Sequence, residues 1–194
     1  MKREKSLILA SASPRRRELL QTLGLPFTIQ SSDVDETTNP GMAPQEIVEE
    51  LAMRKARKIA SSLTDGVVLG SDTIVVLNGE ILGKPVDDAD AYRMLHALQG
   101  CEHTVYSGVA LIDASSGQSE VRYSHTQVKI RPLAPDEIRA YIATREPMDK
   151  AGSYAIQGIG ATLVEGIEGD YFTVVGLPLR LTASMLSRFG IQVL

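Results

Sequence analysis

Cysteine is almost missing from this chain of 194 residues, since Cys101 is the only one. No internal disulfide can form, and a zinc site built from cysteines is excluded. A single cysteine is also typical of a protein from a reducing compartment. The three histidines, His96, His103 and His125, stand on separate predicted elements without metal-ligand spacing. We therefore predict that they are surface or core residues.

Long hydrophobic runs are missing as well. No stretch approaches the roughly 18–20 apolar residues of a membrane-spanning helix, so we predict no membrane partner. The first residues, MKREKSLILASAS, imitate a signal peptide, but their apolar run 7–10 is too short and a strand-to-helix pattern follows at once. We interpret this stretch as part of the mature protein, which we expect to be cytoplasmic.

The chain has no large excess of one charge. Its formal net charge is −4, so electrostatics argues against nucleic acid as a partner and any basic site must be local. The Walker pattern GxxxxGK[ST] is absent, which excludes a P-loop. A length of 194 residues predicts one domain over residues 1–194, with one lobe or two, and is ample for a packed core. Hydrophobic residues make up 43% of the chain, as in an ordinary globular protein.

Strand and helix patterns interleave along the chain. Two β-rich runs flank Asn78-Gly79, a dipeptide favoured in two-residue hairpin turns, and the alternating runs 103–113 and 120–130 predict a second hairpin. The glycine-rich segment 149–178 predicts two short strands. Because hairpins interrupt the alternation of strands and helices, we expect an α/β fold with a mixed sheet flanked by helices. The predicted helices begin at Pro14, Pro44, Asp87, Pro135 and Pro178.

Three consecutive arginines, residues 15–17, open the first predicted helix. Ser13 is its predicted N-cap and Pro14 its first residue. A helix N-terminus carries roughly half a positive charge, and each cation beside it costs about 0.3–1 kcal/mol. A phosphate bound by backbone N–H groups, the hydroxyls of Ser11 and Ser13 and the arginine side chains removes this conflict. The alternative is a solvated helix face.

Two other charges stand in apolar patterns. Lys55 falls inside the apolar stripe of the helix that begins at Pro44, and Asp72 lies within the β-rich run before the hairpin. An unpaired carboxylate in a strand core is costly, so Asp72 needs a cation, a metal ion or a wet cleft. Near a phosphate site it could bind Mg²⁺ or deprotonate water. The alternatives are a structural pair with Lys84 and, for Lys55, a side chain that extends to solvent.

Residues 33–37, DVDET, fit the D-x-D-x-T pattern of haloacid-dehalogenase phosphatases. In that family the first aspartate closes a strongly apolar strand. Here TIQSS precedes it, and the pattern lies in a polar segment with proline and glycine. We interpret it as a polar loop.

Six segments together resemble the Maf family in their order and spacing. They are LASASPRR, LAMRKA, GSDTIV, GKP, DKAGSYAIQG and GDYFTVVGLP, and the likeness runs over nearly the whole chain. Members of this family are nucleoside triphosphate pyrophosphatases, once known as septum-formation inhibitors. SDTIV and DKAGSYAIQG resemble its dTTP/UTP pyrophosphatase branch. The resemblance implies an elongated, twisted mixed sheet with flanking helices, two lobes and a central cleft, similar to ITP pyrophosphatases.

The resemblance also implies roles for single residues. Asp72 matches the family's proton acceptor, and Glu36 with Asp72 is expected to hold a divalent cation, Mg²⁺ or Mn²⁺. Arg15, Thr73 and Gln157 match positions tied to substrate choice, with Gln157 near the base. The family often forms dimers, so a homodimer is a possible assembly. The matched substrate-binding positions are Ser11, Arg15, Arg16, Lys55, Thr73, Lys84 and Gln157.

The function implied is hydrolysis of the α–β phosphoanhydride of a pyrimidine nucleoside triphosphate to monophosphate and pyrophosphate. The substrate is dTTP, UTP or a modified pyrimidine nucleotide, in a house-cleaning role with a possible link to cell-division arrest. Two alternatives remain open. One is a non-catalytic nucleotide-binding regulator of septum formation, and the other is a phosphomonoesterase that acts through residues 33–37.

Overall fold

The computed structural model describes residues 5–194; residues 1–4, including the basic Lys2 and Arg3 of the stretch that imitates a signal peptide, lie outside them. The strands are β1 (Leu7–Leu9), β2 (Phe27–Ile29), β3 (Val67–Leu77), β4 (Glu80–Leu82), β5 (Glu102–Asp113), β6 (Ser119–Ile130) and β7 (Val164–Glu168). The α-helices are α1 (Pro14–Gln21), α2 (Pro44–Ala60), α3 (Asp88–Leu98), α4 (Pro135–Ala143), α5 (Tyr171–Val175) and α6 (Leu179–Arg188). Short 3-10 segments cover Glu146–Asp149, Ala151–Ser153 and Gly158–Leu163.

The strands form one mixed sheet of seven strands within the described residues. Its order is β2-β1-β3-β5-β6-β7, and β4 pairs with β3. β1 is parallel to both β2 and β3, whereas β4 is antiparallel to β3 and β7 is antiparallel to β6. The predicted mixed sheet with helices is therefore confirmed.

The predicted turn at Asn78-Gly79 joins β3 to β4. Both residues have positive φ, 50° for Asn78 and 85° for Gly79. A type I′ turn needs this conformation at both central positions, which asparagine and glycine tolerate best. The first hairpin prediction is thus confirmed, and β5 and β6 are neighbours in the sheet as the second one requires.

The prediction of two short strands within residues 149–178 is wrong. β7 is the only strand of that fully described segment, and Phe172 to Val175 belong to α5. Asp170 begins this helix, since its carboxylate accepts a hydrogen bond from the N–H of Phe172 (3.0 Å) and its carbonyl accepts one from the N–H of Thr173 (3.1 Å). A local cap overrides the β preference of aromatic and β-branched residues.

The chain divides into two compact units. The first comprises Met1–Asp72, Ser107–Ser124 and Gly176–Leu194, and the second comprises Thr73–Tyr106 and His125–Val175. The prediction of one domain over residues 1–194 stays a prediction. No helix within residues 5–194 has both the length and the apolar character needed to cross a membrane.

Each unit has its own apolar core. In the first unit, β1, β3 and the end of β5 pack against α2, with Ile8, Val68 and Ala110 among the buried residues. In the second unit, α3 and α4 pack with Val105 of β5 through Leu95 and Ile138. Each of these buried side chains contributes about 1–3 kcal/mol by leaving water, so helices and strands are held together within each unit.

Two glycines let α2 approach the strands of the first unit closely. A Cβ on Gly70 of β3 would lie 2.3 Å from the carbonyl oxygen of Ala52, and one on Gly108 of β5 would lie 2.2 Å from that of Val48. Only glycine fits where a backbone comes so near. Helix α2 therefore rests directly on the strand that carries Asp72.

Candidate functional site

The turn between β1 and α1 carries the serines and arginines singled out by the sequence. Ser13 is the N-cap, because its Oγ accepts a hydrogen bond from the N–H of Arg16 (3.5 Å). Ser11 Oγ accepts one from the N–H of Ser13 (3.1 Å), and Pro14 takes the first helical position, where no N–H is needed. The predicted helix start is confirmed, and α1 has no acidic residue in its first turn.

Arg16 packs against the first unit through a hydrogen bond. Its Nε donates a hydrogen bond to the carbonyl oxygen of Gly176 (3.0 Å), and Ser71 Oγ donates to the same oxygen (3.0 Å). Arg15 is half-buried and Arg17 is exposed. The three arginines are therefore not one uniform solvated face.

Charges of both signs act on the Arg16 guanidinium. Burial lowers the pKa of Arg16, the Asp72 carboxylate raises it, the Arg15 charge lowers it and the Glu36 carboxylate raises it. The net shift is downward, but an arginine remains protonated at any physiological pH. The first unit thus holds a fixed cation close to two of the predicted functional carboxylates.

Lys55 joins those two carboxylates directly. Its Nζ lies 2.5 Å from Oδ1 of Asp72 and 2.7 Å from Oε1 of Glu36. Lys55 and Asp72 are only 8% and 7% exposed, whereas the Glu36 side chain is 63% exposed. The alternative that Lys55 extends to solvent is wrong. Asp72 has Lys55 as its cation, so a pair with Lys84 is not needed to satisfy the carboxylate.

Arg54 holds the loop that carries Glu36. Its Nη1 donates hydrogen bonds to the carbonyl oxygens of Asp35 (3.0 Å) and Thr37 (2.7 Å), on both sides of Glu36. Its Nε donates to Glu50 one helical turn away (2.9 Å). Arg54 is not among the site residues predicted from the sequence. The spacing of Glu50 and Arg54 indicates a pair on one helix face, but nothing in the sequence indicates its bonds to loop carbonyls.

The D-x-D-x-T pattern lies in an irregular, exposed loop, as predicted. Asp33 and Asp35 are both exposed, and no helix or strand covers residues 33–37. Asp35 Oδ1 accepts a hydrogen bond from the N–H of Thr37 (2.8 Å), which closes a local turn. Neither aspartate stands at the end of an apolar strand, where a phosphatase of that family needs its nucleophile.

The remaining predicted site residues belong to the second unit. Thr73 follows Asp72 on β3 and is half-buried, and Lys84 is exposed two residues after β4. Gln157 is half-buried and directly precedes the 3-10 segment Gly158–Leu163. Their part in the substrate site stays a prediction.

The residues that could hold a metal are Glu36 and Asp72. No group of three or more His, Cys, Asp or Glu side chains within residues 5–194 is arranged for a metal ion. Mg²⁺ commonly takes only one or two carboxylates, with water and substrate phosphates as its other ligands. Two carboxylates bound to the same ammonium nitrogen fit that smaller donor set. As predicted, the histidines are core or surface residues, with His103 buried and His96 and His125 exposed.

Comparisons with known proteins agree with the sequence motifs. The family described as "Maf-like protein" matches residues 6–189. The chain is 57% identical over 187 residues to the dTTP/UTP pyrophosphatase of Moorella thermoacetica, an alignment that covers 96% of each chain. It is 53% identical over 190 residues to the dTTP/UTP pyrophosphatase of Pelotomaculum thermopropionicum, covering 98% of this chain and 100% of the relative.

Among solved structures, the chain is similar in fold to the Staphylococcus aureus Ham1 protein. The TM-score is 0.51 at 17% sequence identity, and the match covers 82% of this chain and 80% of the other. At this identity the likeness concerns the fold alone.

Proposed function

This chain belongs to the Maf family, and we propose that it hydrolyses the α–β phosphoanhydride of the pyrimidine nucleoside triphosphates dTTP and UTP, releasing nucleoside monophosphate and pyrophosphate. Relatives that share more than half of its residues are named dTTP/UTP pyrophosphatase. The observation that carries the proposal is the buried contact of Lys55 with Asp72 beside the Arg16 guanidinium. Buried charges of this kind are costly for stability alone and are common in active sites.

Asp72 is the proposed general base. A carboxylate close to the reacting phosphate can accept the proton of the attacking water, and such proton transfer contributes about 10²–10⁴-fold to a rate. Lys55 Nζ contacts Oδ1 and orients the carboxylate. Asp72 acts on the attacking water directly or as a ligand of the cation proposed below. The water oxygen bonds to the α-phosphorus, its proton passes to the Asp72 carboxylate, and the bond from the α-phosphorus to the bridging oxygen breaks as pyrophosphate leaves.

Fixed positive charges stabilise the charge that develops on the phosphates. This electrostatic contribution is usually the largest in phosphoryl transfer. Arg15, Arg16 and Lys55 are held on α1 and α2 of the first unit, and we assign Lys84 to the same role. Ser11 contributes its hydroxyl. This proposal explains why arginines stand at the start of α1, because the triphosphate supplies the negative charge that this helix N-terminus lacks.

We also propose that Glu36 and Asp72 hold a divalent cation, Mg²⁺ or Mn²⁺. Such an ion supplies positive charge that neutralises and orients the substrate phosphates. The Glu36 side chain is 63% exposed, so its carboxylate can turn from the Lys55 ammonium to another cation while Lys55 keeps Asp72 as its partner. Arg54 keeps Glu36 in place through the two loop carbonyls beside it.

Substrate choice is assigned to Arg15, Thr73 and Gln157. A site that hydrogen-bonds a base edge discriminates more strongly than an apolar pocket, since the wrong base leaves polar groups unpaired. Thr73 offers a hydroxyl and Gln157 offers both an amide donor and a carbonyl acceptor. The predicted homodimer remains a proposal alongside this one.

The proposed function is tested by the products formed. Purified protein with Mg²⁺ is incubated with dTTP, UTP, CTP, GTP and ATP, and the released phosphate species are identified. We expect pyrophosphate and monophosphate, mainly from dTTP and UTP. Release of orthophosphate supports the phosphomonoesterase alternative. A nucleotide-dependent rise in melting temperature without any release supports the regulator.

A further inference from the structure

A hydrogen-bonded network in the second unit holds the segment that carries Gln157. The carboxylate of Glu146 reaches from the 3-10 segment Glu146–Asp149 to the backbone that follows Gln157. Its Oε2 accepts a hydrogen bond from the N–H of Ile159 (3.0 Å), and its Oε1 accepts one from the N–H of Gly160 (2.8 Å). Two consecutive backbone donors therefore converge on one carboxylate.

Tyr141 of α4 extends the network to the other side of Gln157. Its hydroxyl donates a hydrogen bond to Oε1 of Glu146 (2.9 Å) and accepts one from the N–H of Ala155 (3.1 Å). Tyr141 is 3% exposed, so water does not compete for these bonds. Backbone N–H groups on both sides of Gln157 are thus hydrogen-bonded to this network. Ala155 lies two residues before Gln157, and Ile159 and Gly160 lie two and three residues after it.

The backbone of this segment leaves room for the carboxylate. A Cβ on Gly158, where φ is +65°, would lie 2.5 Å from Oε2 of Glu146. A Cβ on Gly160 would lie 2.5 Å from the Tyr141 hydroxyl oxygen. Any other residue at these two positions would push away the groups that hold the segment, so the glycines that follow Gln157 belong to the same arrangement.

The Glu146 carboxyl is ionised within this network. Burial alone raises its pKa, but the hydrogen bonds from Gly160, Ile159 and Tyr141 and the charge of Lys150 outweigh burial and hold the pKa below its ordinary value. An ionised carboxylate accepts hydrogen bonds on both oxygens and donates none. It therefore matches all three donors at once.

We propose that Glu146 is a positioning residue for nucleotide selection: it fixes residues 155–160 so that Gln157 stands where the base is recognised. The inference rests on the proposed function, in which Gln157 contacts the base. Glu146 itself contacts neither substrate nor metal. Its effect reaches the nucleotide only through the backbone of the segment, so it acts on substrate preference more than on the chemical step.

The test is Glu146→Gln, which keeps the shape and removes the charge. An amide has one acceptor oxygen and one donor NH₂ group, so one of the two backbone N–H groups faces another donor and loses its bond. We expect the KM for dTTP and UTP to rise about tenfold, kcat to change by less than about threefold, and the kcat/KM preference for dTTP over CTP to fall about tenfold. The matched control is Glu165→Gln, which removes an exposed ion pair with Lys129 in the same unit and is expected to change none of these values.

Tyr141→Phe provides a second variant if Glu146→Gln does not fold. It removes one hydroxyl from the network, and we expect a smaller loss of the dTTP preference. If the folded variants lower kcat/KM equally for every nucleotide, or leave the preference unchanged, Glu146 is only structural and the inference is wrong although the proposed function stands. If the wild-type protein releases pyrophosphate from no triphosphate, the proposed function is wrong and the inference is overturned with it. The wild-type profile thus separates the two failures.

Discussion

The Nζ of Lys55 lies 2.5 Å from Oδ1 of Asp72 and only slightly further, at 2.7 Å, from Oε1 of Glu36. One buried ammonium therefore serves two carboxylates, one of them buried and the other 63% exposed. A single positive charge leaves this group with a net negative charge, which Arg16 offsets. Such an arrangement adds little to the free energy of unfolding, because the cost of desolvating buried ions offsets most of their electrostatic attraction. It is well suited to hold a carboxylate beside a phosphate.

Replacement of Asp72 by asparagine tests the general base. We expect kcat for pyrophosphate release to fall by about 10²–10⁴-fold, because asparagine cannot accept the proton of water. The free energy of unfolding should fall by about 1–3 kcal/mol, since the ion pair with Lys55 becomes a weaker hydrogen bond from the charged ammonium to a neutral amide oxygen. Product assays and denaturant unfolding measure both. Asp136→Asn, an exposed aspartate of α4 paired with Arg139, is the control. Near wild-type turnover in folded Asp72→Asn contradicts the assignment.

Glu36→Gln tests the proposed cation site separately from the base. Glu36 is exposed, so we expect the free energy of unfolding to change by less than about 1 kcal/mol. The Mg²⁺ concentration that gives half-maximal activity should rise by at least about tenfold, because one of two carboxylate ligands is lost. The measurement is a Mg²⁺ titration of pyrophosphate release, with chelation by EDTA as the zero point. Glu168→Gln, an exposed glutamate of β7, is the control. An unchanged Mg²⁺ requirement would assign the metal to other ligands.

Arg16 and Arg17 form a matched pair for testing the anion site, since they are neighbours on one helix and differ in burial. We expect Arg16→Met to lower kcat/KM by about 10²-fold, as for the loss of one fixed group that stabilises the transition state. Arg17→Met should leave kcat/KM within about twofold and, without substrate, stabilise the protein by about 0.3–1 kcal/mol by removing a cation from the helix N-terminus. Steady-state kinetics of both variants measure the change in kcat/KM, and thermal unfolding measures the change in stability. Equal kinetic effects would contradict the assignment of Arg16 to the anion site.

The sequence was informative where local chemistry decides the structure. Asn78-Gly79 predicts its hairpin because few other residue pairs tolerate two positive φ values, and Ser13-Pro14 predicts a helix start because both residues prefer these positions. Lys55 and Asp72 were identified because each charge interrupts an apolar pattern. All four signals depend on neighbours within one turn of a helix or a few residues of a strand.

The features that could not be predicted from the sequence depend on contacts between segments far apart in the chain. The pairing of Lys55 with Asp72 follows from the close approach of α2 to β3 at Gly70, which periodicity does not reveal. The role of Arg54 depends on the path of an irregular loop. Two short strands were predicted within residues 149–178, but that segment holds one strand, since Tyr171–Val175 form a helix that Asp170 caps.

His103 of β5 is buried without full hydrogen bonding. It is 4% exposed, and its Nε2 lies 2.7 Å from the hydroxyl oxygen of Tyr154. Its Nδ1 has no hydrogen-bond partner among the described residues. Burial lowers the pKa of His103 from 6.5 to about 4. The imidazole is therefore neutral in the folded protein at pH 5–6, where the same side chain in the unfolded chain becomes protonated.

This difference predicts a loss of stability in mild acid. Between pH 6.5 and about 4 the unfolded chain binds more protons at His103 than the folded protein does, so the free energy of unfolding rises with pH across this window and falls as the pH is lowered through it. At 1.36 kcal/mol per pKa unit, the full loss at pH 4 is about 3 kcal/mol.

Denaturant unfolding between pH 4 and 7 measures this loss, and His103→Gln isolates it from the carboxylates that titrate in the same range. Glutamine can still hydrogen-bond the Tyr154 hydroxyl but carries no ionisable group. We expect the variant to be less stable at pH 7, where it loses ring packing, and to lose much less stability than the wild type on going to pH 4. His96→Gln, which removes an exposed imidazole, is the matched control. If the His103→Gln curve runs parallel to the wild-type curve, the acid sensitivity comes from other groups, because only a residue that binds protons differently in the two states can change that slope.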